Sequence, residues 1–138
     1  MSTIKPIKEA MLLCDSIITD AVTGKKSLIG IFENISAPSF PFSHYILSVY
    51  IKFNSAQGKY IFRLELIDLD NNLVIGRANT PELDVLNKLD SYELAFNLGN
   101  LAFSHPGKYE FRVYAGEDRV PFANKTFNVI EIKPTIIK

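Results

Sequence analysis

The chain has 138 residues, of which 47% are hydrophobic and 12% aromatic, with Lys+Arg and Asp+Glu balanced at 15 each and one cysteine. That length fits a single domain, 1–138, able to hide about two-thirds of its unfolded surface, and the neutral balance lacks the basic surplus that nucleic-acid binding draws on. Cys14 alone cannot form an intramolecular disulfide, no charged-then-apolar leader precedes it, and the apolar runs fall short of the roughly 18 residues a membrane helix needs, so a cytoplasmic protein without a membrane span is expected.

Residues 1–8 carry no period and are expected to form a loose arm. Ala10-Met11-Leu12-Leu13-Cys14 with Ile17-Ile18 predicts a strand, 20–26 a turn, and Ser27-Leu28-Ile29-Gly30-Ile31-Phe32 the returning strand of a hairpin. Gly30 inside that strand predicts a bulge or a close backbone approach, since a mid-strand glycine otherwise only weakens pairing.

Met11-Leu12-Leu13-Cys14-Asp15, Thr23-Gly24-Lys25-Lys26-Ser27-Leu28-Ile29-Gly30-Ile31-Phe32 and the later Pro106-Gly107-Lys108-Tyr109-Glu110-Phe111 together resemble an uncharacterised family of short bacterial proteins, a domain of unknown function. The resemblance spans most of the chain. It implies a bacterial, intracellular, single-domain protein with a C-terminal sandwich strand, and it supplies no functional residues.

Pro38 and Pro41 break the pattern over 37–44 and predict a crossing loop. Tyr45, Leu47, Val49, Ile51 and Phe53 then alternate as the inward set of a strand, 54–58 turns the chain, and Tyr60, Phe62, Leu64 and Leu66 form the next inward set. Asp70-Asn71-Asn72 closes a hairpin onto 73–77. Thr80-Pro81-Glu82, with Leu83, Leu86 and Leu89 at threes, predicts a short helix or irregular loop over 81–89. Tyr92, Leu94, Phe96 and Leu98 alternate again.

After the 99–107 connection, Tyr109, Phe111, Val113 and Ala115 face one way against Lys108, Glu110, Arg112 and Tyr114. Gly107-Lys108-Tyr109-Glu110-Phe111 resembles the tyrosine corner of immunoglobulin-like sandwiches, in which a Tyr hydroxyl returns to nearby backbone. A turn at 115–118 and a last strand to Val129 follow, and 133–138 is a tail stopped by Pro134. The expected fold is all-β: one antiparallel sandwich of about eight strands, immunoglobulin-like or C2-like, with at most one short helix.

No catalytic constellation stands out. Asp68, Asp70 and Asn72 supply oxygens at i, i+2 and i+4, as a calcium loop begins, but Leu73 and Asn79 stand where an EF-hand requires Gly and Glu, so a turn is the favoured reading. His44 and His105 lie beside proline loops and could share one end of the sandwich, without the ligand number a zinc site needs. Cys14 reads as a small core residue, because neighbouring Asp15 would raise its thiol pKa rather than lower it. Thr23-Gly24-Lys25-Lys26-Ser27 lacks the upstream glycine of a phosphate loop.

Apolar material outside the strands, in Phe40, Phe42, Ile136 and Ile137 with adjacent His44, gives the candidates for partner contact; plugging the sandwich end is the other expected use of the two rings. These residues favour a non-enzymatic protein-interaction or structural module, with an unidentified protein partner or a second copy at a sheet edge. No cofactor is implied. The alternatives are a C2-like module binding calcium or a lipid headgroup through Asp68, Asp70 and Asn72, and an enzyme assembled from scattered residues such as Asp15, His44 and His105.

Overall fold

Alternating apolar residues can bury one face only by stacking sheet on sheet, and a computed structural model, describing residues 4–133, has that arrangement. Its strands are β1 (Ile7–Thr19), β2 (Lys26–Ile31), β3 (Asn34–Ala37), β4 (Phe42–Asn54), β5 (Gly58–Tyr60), β6 (Phe62–Asp68), β7 (Leu73–Asn79), β8 (Leu83–Val85), β9 (Tyr92–Phe103), β10 (Gly107–Ala115) and β11 (Ala123–Glu131). One sheet runs β2-β1-β4-β9, the other β3-β11-β10-β6-β7, and β5 pairs with β8. The fold is all-β as expected.

Three expectations need correction. There are eleven strands among the described residues rather than eight, and the sandwich is not wholly antiparallel: β3 crosses from the first sheet to lie parallel to β11, Asn34 opposite Asn128 and Ala37 opposite Glu131. Of the two alternatives expected for 81–89, a short helix or an irregular loop, the helix does not form. Leu83 to Val85 pairs instead with Gly58 to Tyr60, while Leu86 and Leu89 stay exposed, so leucines spaced at threes find no surface on which a helical face could pack. The N-terminal arm is also shorter than 1–8, because Ile7 and Lys8 already pair with Asn54 and Phe53, and the Ile4 carbonyl accepts a hydrogen bond from the Tyr60 hydroxyl.

The fourth difference concerns Tyr45. Leu47, Val49, Ile51 and Phe53 are buried as the alternation requires, but Tyr45 is 75% exposed. Nearer the start of β4 the inward positions are instead the even ones, Phe42 and His44, both half-buried. Its partner β9 changes phase at the same level, from Leu94, Phe96 and Leu98 to Leu101 and Phe103, across Asn100 at φ 53°. His44 pairs with Leu101 and Ile46 with Gly99, so the register survives the step. Both strands therefore switch faces together, and a left-handed residue supplies the bend.

The core is aromatic at both ends. Phe53, Tyr60, Phe62, Tyr92 and Phe122 pack at one end, with ring centroids 5.2–5.9 Å apart. Phe103, Tyr109, Phe111 and Phe127 pack at the other, in T-shaped and stacked pairs at 4.9–6.1 Å, as the ring quadrupole prefers. Gly30 makes the expected close approach: at φ 72°, a Cβ on it would stand 2.2 Å from Asp15 Oδ2. Cys14 is fully buried and unpaired. Burial and then Asp15 push its thiol pKa up, which suits a core role.

Candidate functional site

Two regions gather polar or apolar groups beyond what the core absorbs. The first lies where the turn after β6 meets the turn before β10. Antiparallel pairing of the two strands sets Asp68 opposite Tyr109. The sharp Pro106-Gly107 turn then folds His105 back over the carboxylate, and the Tyr109 hydroxyl donates to the His105 carbonyl at 2.6 Å, the tyrosine-corner hydrogen bond that the sequence resemblance implied.

His105 Nε2 lies 2.7 Å from Asp68 Oδ2, and Nδ1 lies 2.8 Å from the Pro106 carbonyl and 3.8 Å from Asp70 Oδ2. Asp68 is 3% exposed, and its Oδ1 accepts the backbone N–H groups of Asp70 and Asn71 while the Asn71 amide donates to Oδ2 at 3.0 Å. Burial by itself would raise the Asp68 pKa; the hydrogen bonds from His105 and Asn71 outweigh it and leave the group below the usual carboxylate range. The Asp68 hydrogen bond, followed by that to the Pro106 carbonyl, raises the pKa of His105.

Asp68, Asp70 and His105 thus place one ligand atom each within 4.8 Å of one another, a set in which His105 stands where Asn72 was expected. Asn72, at φ 54°, is a turn residue outside the set. His105 and Asp68 are 37 positions apart, so spacing along the chain hides the cluster. The readable signal was register: if the Tyr109 strand pairs with the Asp68 strand, the turn four residues earlier lands on the Asp68 loop.

His44 shares that end of the sandwich but does not join the cluster. It sits between Phe32 and Phe42, at centroid distances of 6.3 and 6.1 Å, and its Nε2 is buried with no hydrogen-bond partner among the described residues. A hollow of about 270 Å³ brings His44 and Asp15 into one lining, together with Ser36, yet no hydrogen bond joins the three. Phe40 and Phe42 are half-buried against the core, the plugging use of those rings. Ile136 and Ile137 lie outside the described residues.

The second region is the side of the sandwich bounded by the edge strands β7 and β9. Between them a hollow of about 240 Å³ opens onto the core at Leu66, Leu98 and Phe111. On the other flank of β9 a second hollow, about 290 Å³, is formed by Tyr45 and Ile46 against 97–100. Asn97, Leu98 and Gly99 border both hollows. Across its twelve residues β9 carries no Lys, Arg or Pro and one charge, Glu93, so it has little of the chemistry that blunts an edge. The outer face of the five-stranded sheet differs, with its charges neutralised in place by Arg77–Glu65 at 3.3 Å and Arg112–Glu110 at 2.6 Å.

The profile of a family of unknown function (DUF6941) matches residues 9–129, which covers the sandwich from β1 into β11. No curated protein matches the chain. No helix is long and apolar enough to cross a membrane among the described residues. The chain belongs to that family of unknown function.

Proposed function

We propose that this member of a family of unknown function is a non-enzymatic protein-binding module that takes up an extended segment of another polypeptide along the free edge of β9. The observation that carries this reading is the pair of hollows flanking the same edge residues, Asn97 to Gly99. An added strand gains main-chain hydrogen bonds from an edge, and its alternate side chains point to opposite faces. One set would enter the cleft between β7 and β9 and the other would cover Tyr45 and Ile46. The partner segment is accordingly an extended stretch of alternating apolar residues with little charge. The buried, unpaired Cys14 is compatible with a reducing compartment, and the cytoplasm is the proposed location.

The test pairs wild type with Ala95→Lys/Gly99→Lys, two exposed β9 positions where added charge blunts the edge. Proteins captured from a lysate of the source organism are compared, and hydrogen exchange is measured in the captured complex. The reading expects a partner that protects β9 amides and is lost by the folded variant. A partner held equally by the variant, or one that protects the Phe40–Tyr45 segment and leaves β9 unchanged, refutes it.

A further inference from the structure

The two turns that meet at His105 bring together more ligand chemistry than is needed to tie them. We propose that Asp68, Asp70 and His105 form a site for a divalent cation of the zinc class, with imidazole Nε2 and one oxygen from each carboxylate as ligands and the remaining positions open to water. One oxygen from each carboxylate and one imidazole nitrogen lie within 4.8 Å of one another, from two loops that only the β6–β10 pairing brings together, with Asp68 on the Nε2 side of the ring and Asp70 3.8 Å from Nδ1.

The donor set selects the ion. Imidazole suits zinc, cobalt and nickel, whereas calcium and magnesium prefer oxygen donors alone, and three protein ligands plus water is the usual form of an open zinc site. His105 is also held as a metal-ligating histidine is usually held. Its Nδ1 is 2.8 Å from the Pro106 carbonyl, which lies outside the ligand set; a hydrogen bond there fixes the ring and leaves Nε2 as the ligating atom. The Asn71 amide donates to Asp68 Oδ2 at 3.0 Å and lies 3.2 Å from His105 Nε2, so an ion bound at Nε2 displaces it from the nitrogen while its bond to Asp68 can remain.

The third ligand has its own accommodation. Gly107 stands at φ 154°, and a Cβ there would come within 2.0 Å of Asp70 Oδ2. The missing side chain admits the Asp70 carboxylate beside the imidazole. Asp70 has a side chain 51% exposed, so it is free to swing from the Nδ1 side of the ring toward an ion at Nε2, and the cluster is open to solvent on that side. No Lys or Arg pairs with Asp68 or Asp70 among the described residues, so two carboxylates share one imidazole. Tetrahedral zinc bonds of about 2.0–2.1 Å require Nε2 and Asp68 Oδ2 to part by about 0.6 Å from their present 2.7 Å.

The test is calorimetric titration of the untagged protein with Zn²⁺, repeated with Ca²⁺, and visible absorption of the Co²⁺ form. The proposal expects one zinc per chain, weaker or absent calcium binding, and zinc affinity reduced about tenfold or more in Asp70→Asn. Asp70 is half-exposed, so that variant keeps the fold; His105→Ala, which also removes the partner of buried Asp68, is expected to lose the Co²⁺ spectrum. Absence of zinc heat overturns the proposal and leaves the cluster as a tie between turns. Zinc binding unchanged in Asp70→Asn, or calcium bound more tightly than zinc, overturns it as well.

Discussion

Phe111 is fully buried: it is 0% exposed, stacks on Phe127 at 5.3 Å and forms part of the floor of the cleft between β7 and β9. Replacing it with Ala removes a buried ring from a site that neighbouring strands cannot collapse to fill, and the expected cost is about 3–5 kcal/mol in a urea melt. A cost below about 1 kcal/mol would mean that the ring contributes little to the core. On the opposite face of the same strand, Glu110 accepts from Arg112, Asn124 and Thr126. Burial works to raise its pKa, but those hydrogen bonds prevail and hold it below the usual carboxylate range. A carboxylate depressed on folding contributes stability above its unfolded pKa and loses that contribution as pH falls through its folded one. The stability gap between wild type and Glu110→Gln should therefore shrink as pH is lowered below about 4. A gap independent of pH across that range would mean that the carboxylate's charge plays no part.

At the scale of the element, the bends in the four-stranded sheet decide which side chains face the core. Gly30 bends β2 around Asp15, and Asn100 bends β9 where β4 changes face. An L residue at positive φ carries roughly 1–2 kcal/mol of steric cost, so Gly30→Ala is expected to lose about that much stability and to displace the Asp15 carboxylate. Thermal or urea unfolding measures it; a loss under about 0.5 kcal/mol would mean that the strand straightens at no cost. The same bends explain what alternation conveyed and what it concealed. Tyr60, Phe62, Leu64 and Leu66 in β5 and β6, and Tyr109, Phe111 and Val113 in β10, face inward as their period-2 pattern requires, because no phase change interrupts them. Tyr45 does not, because its apolar character continues the pattern through a step whose cause, Asn100, lies on a different strand. The helical alternative for residues 81–89 fails for a related reason: a helix start and leucines at threes are local signals, while the pairing of β8 with β5 is a contact between segments distant in sequence.

For the whole molecule, the order of strands determines where a partner strand could be added. The four-stranded sheet ends at β2 and β9, and the five-stranded sheet at β3 and β7. β2 is six residues long and β3 four, which discourages pairing, whereas β9 runs for twelve residues, straight up to its bend at Asn100, beside open hollows. Because Ala95 and Gly99 are exposed and a Cβ on Gly99 meets only the Tyr45 carbonyl, at 3.6 Å, Ala95→Lys/Gly99→Lys should leave the unfolding free energy within about 0.5 kcal/mol of wild type while abolishing strand addition. A large stability loss would place those positions in the fold's own packing and remove the edge interpretation with it.

The amino-acid sequence by itself determined the all-β class, the inward set of most strands, the buried cysteine and the tyrosine corner, because each depends on alternation, on turn residues or on a motif contained in one short stretch. Tertiary structure decided the strand order, the parallel β3–β11 pair, the free edge of β9 and the meeting of His105 with Asp68. Those depend on which distant segments hydrogen-bond to one another, and the free energy that selects a pairing is spread over the whole buried interface between two sheets rather than over any one segment.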